Sequence, residues 1–286
     1  MINKVVAFGC GFVVGGGMGH RFRHAHYTKK PLAIYYLGKE LGVDRDKCDI
    51  IANGGHSNQY IYRKFYNYIA DVKNQKSLDE TLFVFGWTEK SRWEFYSDVE
   101  KTWIPIDGSS SSWWYDQNED LIPQILPNAW METGDIMDKS YIKFVREYYK
   151  VSFNVKEHFE KSVREMISVQ NTCKEKKLQY IMFDSVESVF KGSHWPAYNL
   201  ESKPSEYTAS RLETMNILSY EGINTLVKLL DKKYWVNYDG KYGDWATMNM
   251  ENVEEYTAYK GDAHPSALSQ KVWGDYLISM VKSLYE

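Results

Sequence analysis

Four short apolar runs, each stopping at a glycine, asparagine or aspartate, constrain this chain more than any other feature. They cover residues 4–8, 49–52, 81–85 and 180–183, and they end at Gly9, Asn53, Gly86 and Asp184. Each is too short for a helix and lacks the polar alternation of a half-exposed strand. Such runs fit strands buried on both faces of a parallel sheet.

Helical patterns fill the intervals. Residues 30–41 read as a helix. A second begins with Ser57 as N-cap and runs to about residue 72, with Ile61, Phe65, Tyr68 and Ile69 on one face. Further helical stretches span about 139–176 and 207–230. The last helix is the clearest: Leu268, Val272, Trp273, Tyr276, Leu277, Met280, Val281 and Leu284 recur on one face behind Pro265 and Ser266. Strands alternating with helices predict an α/β protein, a three-layer α/β/α domain around a mainly parallel, flavodoxin-like sheet. The whole of 1–286 reads as one domain with loop insertions at about 107–135 and 236–261. The second insertion has room for a fifth strand, at no assigned position.

Composition excludes several classes. A formal net charge of -3 implies no strong positive field, so no nucleic-acid partner is expected. No run approaches the roughly 20 apolar residues of a membrane span, and the stretch before Cys10 is shorter than a signal core of roughly 7–15 residues. Cys10, Cys48 and Cys173 are too few and too scattered for a disulfide framework or a zinc site. A cytoplasmic protein without metal or cofactor is the expectation. Aromatic residues make up 16% of the chain; burial accounts for most of these, with stacking on sugars or bases as the alternative.

Ligands of parallel α/β sheets bind beyond the carboxyl ends of the strands. Three motifs fall there: Phe8-Gly9-Cys10-Gly11-Phe12, Asn53-Gly54-Gly55-His56-Ser57-Asn58 and Phe85-Gly86-Trp87-Thr88-Glu89. A fourth, Gly261-Asp262-Ala263-His264-Pro265-Ser266, precedes the terminal helix. Glycines let backbone N–H groups approach a ligand closely, and a histidine beside an aspartate is the pattern of an oriented general base.

Taken together and in this order, the four motifs resemble the conserved blocks of the SGNH (GDSL-type) hydrolases, over nearly the full chain. The resemblance implies serine-type hydrolysis of an ester or acyl group, O-acyl groups on a carbohydrate among them. Gly11 stands where that family carries its nucleophilic serine: it keeps the N–H and loses the hydroxyl. His264 takes the place of the general base and Asp262 that of its orienting acid, with one residue between them where the family usually has two. Gly11 and Gly55 match the oxyanion-hole donors. Thr88 replaces the asparagine that supplies the third. Ser57, Asn58, Trp87 and Arg92 are the implied ligand contacts. The missing serine reflects either deliberate inactivation or a natural protein that binds without cleaving; Cys10 and Ser57 are poor substitutes as nucleophile.

Two other classes remain open. A non-catalytic binder of glycans or small molecules would use Trp113 and Trp114 for stacking and the cluster His20, Arg21, Arg23, His24 and His26 for an anionic group. A nucleotide-binding protein would use the glycines between Gly9 and Gly19, although Val14 occupies the third position of the Gly-x-Gly-x-x-Gly spacing. The expected partner is a small-molecule or carbohydrate ester, and the oligomeric state is open.

Overall fold

A computed structural model of the chain describes residues 2–15, 31–90, 92–98, 101–106, 155–186, 188–191, 217–239, 243–259 and 262–286. Its centre is a parallel sheet of β1 (Lys4–Gly9), β2 (Cys48–Ala52), β3 (Thr81–Trp87) and β6 (Gln179–Asp184) in the order β2-β1-β3-β6. Each predicted strand is present, one or two residues longer than its apolar run. The registers Phe8↔Ile51 and Phe8↔Phe85 bring the ends of β1, β2 and β3 level. One more strand position lies beyond β6, reduced to a single parallel bridge between Met182 and Trp235, with Val236 N–H donating to the Met182 carbonyl at 2.8 Å.

Alternation along the strands builds two cores. Val5, Ala7, Leu82, Val84, Ile181 and Phe183 face one side, which is covered by α2 (Ala33–Glu40) and the terminal helix α8 (Ala267–Tyr285) lying along it. Val6, Phe8, Phe83, Phe85, Tyr180 and Met182 face the other, beneath α3 (Asn58–Ala70), α4 (Val155–Glu175) and α5 (Glu221–Val227). The result is the three-layer α/β/α arrangement. On the second side Phe65 meets Phe8 and Phe85 edge-on at 6.0 and 5.1 Å. Such contacts contribute about 0.5–1.5 kcal/mol each beyond the burial of the rings.

Caps end the helices where the sequence places them. Ser57 accepts from Tyr60 N–H at the start of α3, and Ser266 accepts from Ser269 N–H at the start of α8. Other features were not legible. The chain after β3 forms an antiparallel hairpin, β4 (Trp93–Ser97) with β5 (Thr102–Ile106). The stretch read as a loop at 236–261 carries two short helices, α6 (Trp245–Glu251) and α7 (Val253–Tyr256). They lead into a second hairpin of β7 (Thr257–Tyr259) and β8 (Asp262–Pro265). The insertion at 107–135, the Trp113-Trp114 pair and the basic cluster at 20–26 lie outside the described residues. So do the first parts of the helical stretches 139–176 and 207–230. Among the described residues no helix is long and apolar enough to cross a membrane.

Candidate functional site

The turn after β1 and the segment before α8 meet. A one-turn helix, α1 (Gly11–Val14), starts where β1 ends and brings residue 11 to the sheet's carboxyl edge. A Cβ on Gly11 would stand 2.8 Å from His264 Nε2 and 3.7 Å from the Gly54 Cα. The imidazole therefore lies against residue 11, with the glycine turn after β2 beside both. His264 also stacks on Phe12, with ring centres 5.2 Å apart. Phe12 in turn leans on Trp245 of α6, which stacks on Trp273 of α8 at 5.1 Å.

The two glycines of this corner differ. Gly55 has φ of 75°, a left-handed conformation that a side chain would strain. Gly11 is not among the positive-φ glycines and is part of a right-handed helical turn, so its backbone accepts any residue. Glycine at 55 serves the turn, whereas glycine at 11 serves no backbone need.

The remaining sequence candidates are drawn into the fold. Ser57 and Asn58 are fully buried: the Ser57 hydroxyl caps α3, and the Asn58 side chain is bound to the Thr88 backbone. Thr88 N–H donates to Asn58 Oδ1 at 2.8 Å and Asn58 Nδ2 donates to the Thr88 carbonyl at 3.2 Å. This reciprocal pair locks the loop after β3 to the start of α3. The Thr88 hydroxyl is buried with no hydrogen-bond partner among the described residues. Trp87 is fully buried and stacked on Phe85 in the second core. Arg92 turns back on its own loop, its Nε 3.5 Å from Glu89 Oε2. Asp262 opens β8, but its side chain lies outside the described residues. Cys10 is buried in the first core.

Two charged clusters were not anticipated. At the ends of β3 and β6, Lys90 Nζ donates to Asp184 Oδ1 at 2.8 Å, with both side chains almost wholly buried. Burial pushes the Asp184 carboxyl up, against the pull of Lys90. Asp244, at the start of α6, feels both charges, and burial pushes it up to about 6. On the other flank the buried Glu94 carboxylate takes Arg63 Nη2 at 2.8 Å on one oxygen. Its other oxygen stands 3.7 Å from His56 Nδ1, and neither of these two atoms has a hydrogen-bond partner among the described residues. Nearby on α4, burial pushes Glu165 up to about 7, with Lys161 opposing and Glu94 adding to the shift. Position in the fold is the only signal that could have found these groups, since they lie far apart in sequence. Among the described residues no cluster of His, Cys, Asp and Glu could hold a metal ion.

No family model and no curated protein matches the chain. Solved structures do. A GDSL-like lipase from Bacteroides thetaiotaomicron is 12% identical with a TM-score of 0.42, covering 99% of this chain and 89% of that one. A lipolytic protein of the G-D-S-L family from Desulfitobacterium hafniense is 12% identical with a TM-score of 0.37, covering 97% and 99%. An acetyl xylan esterase is 14% identical with a TM-score of 0.40, covering 97% and 99%. Likeness at this level says nothing of chemistry. The fold class rests on the strand order and the two helical layers.

Proposed function

We propose that the corner formed by Gly11, Gly55 and His264 is an acyl-hydrolase site that has lost its nucleophile. It is built to receive an ester or acylated ligand, O-acyl groups on a carbohydrate included. One observation carries this reading: His264 Nε2 lies 2.8 Å from the point where residue 11 would bear its Cβ, so a side chain there would begin in contact with the imidazole. Nucleophile and base within hydrogen-bond reach is the arrangement acyl transfer needs.

In that site a hydroxyl on residue 11 would attack the acyl carbon while His264 takes its proton. The N–H groups of residues 11 and 55 would face the oxygen on which negative charge develops. His264 would return the proton to the departing alkoxide, and water would release the acyl group by the same route reversed. Asp262 is the proposed partner that orients the imidazole. With glycine at 11 no acyl-enzyme can form, and the chain as it stands holds the ligand without efficient turnover. Loss of a nucleophile costs roughly a million-fold in turnover.

The test is Gly11→Ser. Its Cβ would stand closer to His264 Nε2 than Cβ atoms come in folded proteins, so the imidazole must swing aside, as a terminal ring on rotatable bonds can. The variant should hydrolyse short-chain aryl esters, and His264→Ala should abolish the gained activity. A folded Gly11→Ser protein with no turnover above the parent chain overturns the reading.

A further inference from the structure

Residue 11 and His264 are separated by 253 positions in sequence, so something must hold them in register. Van der Waals contact between Phe12 and the imidazole is not directional enough to fix a distance. The directional link is Gln270. It sits on the first turn of α8, six residues past His264, and is fully buried. Its Nε2 donates to the carbonyl of Phe12, the residue after Gly11, at 2.8 Å. Its Oε1 accepts from Ala33 N–H at 2.7 Å. That N–H is one of the orphan donors at the start of α2, where the N-cap residue Leu32 has no side-chain cap.

We infer that Gln270 is the positioning residue of this corner: one buried amide ties the turn after β1, the start of α2 and the helix behind His264 into a fixed triangle. Both ends of the amide are used, one as donor and one as acceptor, so the side chain cannot flip without losing both bonds. Neighbours stiffen the same helix start. Trp245 Nε1 donates to Ser269 Oγ at 2.8 Å, and Ser269 Oγ in turn bonds to Asn249 Oδ1 at 2.5 Å. Those bonds place α8 against α6; Gln270 places it against the Gly11 turn. Its consequence for catalysis rests on the acyl-hydrolase reading, whereas its consequence for geometry does not.

Two variants separate positioning from stability. Gln270→Met removes both bonds at similar volume. Gln270→Glu keeps an acceptor for Ala33 N–H and, when ionised, loses the donor to Phe12; when protonated it regains that donor. Two readouts are needed. The first uses the parent chain: by NMR, the Gly11 amide resonance should follow protonation of the His264 imidazole, because the two are in contact. Gln270→Met should uncouple them, whereas Gln270→Glu, whose fully buried carboxyl stays protonated and so keeps both bonds, should leave them coupled. The second uses the Gly11→Ser background, where labelling by a fluorophosphonate should slow by about a hundredfold with Gln270→Met, the scale of a 1 Å misplacement. Should Gln270→Met fail to fold, Gln270→Glu decides alone: its labelling should match that of the Gln270 protein near neutral pH and slow at alkaline pH, where the ionised carboxylate loses the donor to Phe12. Unchanged coupling or unchanged labelling in a folded Gln270→Met, or labelling of Gln270→Glu that matches the Gln270 protein even at alkaline pH, overturns the inference. Failure of Gly11→Ser itself to label strikes the acyl-hydrolase reading and leaves the NMR result to judge Gln270.

Discussion

Replacing Asp244 by asparagine should stabilise the protein, and only above acid pH. Asp244 is 2% exposed and caps α6, accepting from Thr247 N–H at 2.8 Å and from Thr247 Oγ1 at 3.0 Å. Burial pushes its carboxyl from the ordinary 3.8 up to about 6; the nearby Asp184 adds to this, while the Thr247 bonds and Lys90 oppose it. The sign follows from proton counting. Between 3.8 and about 6 the folded state holds a proton that the unfolded chain has released, so stability falls as pH rises through that window. Above it the full penalty applies, and at about 1.36 kcal/mol per pH unit it amounts to about 3 kcal/mol as an upper figure. Asparagine keeps the acceptor for Thr247 N–H and offers its amide to Thr247 Oγ1, so the cap survives and the penalty is removed. Urea denaturation of both proteins from pH 4 to pH 8 measures the effect. The variant should match the parent near pH 4 and exceed it increasingly up to about pH 7. A difference that is flat with pH, or a variant less stable at pH 8, refutes the reasoning.

Two other substitutions probe the packing that holds the site. Lys90→Met leaves the buried Asp184 carboxylate without its cation and should cost about 3–5 kcal/mol near neutral pH, read as a lowered urea midpoint. Gly274→Ala would set a Cβ 2.9 Å from the Tyr36 Cβ and 3.3 Å from the Ala33 carbonyl, forcing α8 away from α2. Overpacking of about 1–3 kcal/mol outweighs the gain of about 1 kcal/mol in helix propensity, so the melting temperature should fall.

Much of the fold could be read from the sequence because its signals are local. The β1, β2, β3 and β6 runs are apolar beyond their first residues and end in turn residues, and Ser57 and Ser266 mark helix starts by the chemistry of their hydroxyls. The two hairpins escaped notice for the opposite reason. β4, Trp-Glu-Phe-Tyr-Ser, buries its glutamate against Arg63, so it shows no apolar alternation. β7 and β8 are three and four residues long, too short for any period to register. The strand position beyond β6 is a single bridge at Trp235, which no pattern could reveal.

The site divides along the same line. Gly11, Gly55 and His264 stand in short motifs with recognisable residue types, and the structure brings residue 11, the Gly54–Gly55 turn and His264 together. Trp87, Ser57 and Asn58 stand in the same motifs, yet their side chains are spent on the core, a cap and the Thr88 backbone. Neighbourhood in sequence does not say which way a side chain turns. Gln270 and the Lys90–Asp184 pair were invisible because their partners lie 258 and 94 residues away.

Covalent labelling of residue 11 tests the central claim most directly. Gly11→Ser protein treated with a fluorophosphonate and mapped by peptide mass spectrometry should carry one adduct, on residue 11, and Gly11→Ser combined with His264→Ala should carry none. A folded Gly11→Ser protein that stays unmodified, or an adduct that persists without the imidazole, would contradict an acyl-transfer site at this corner.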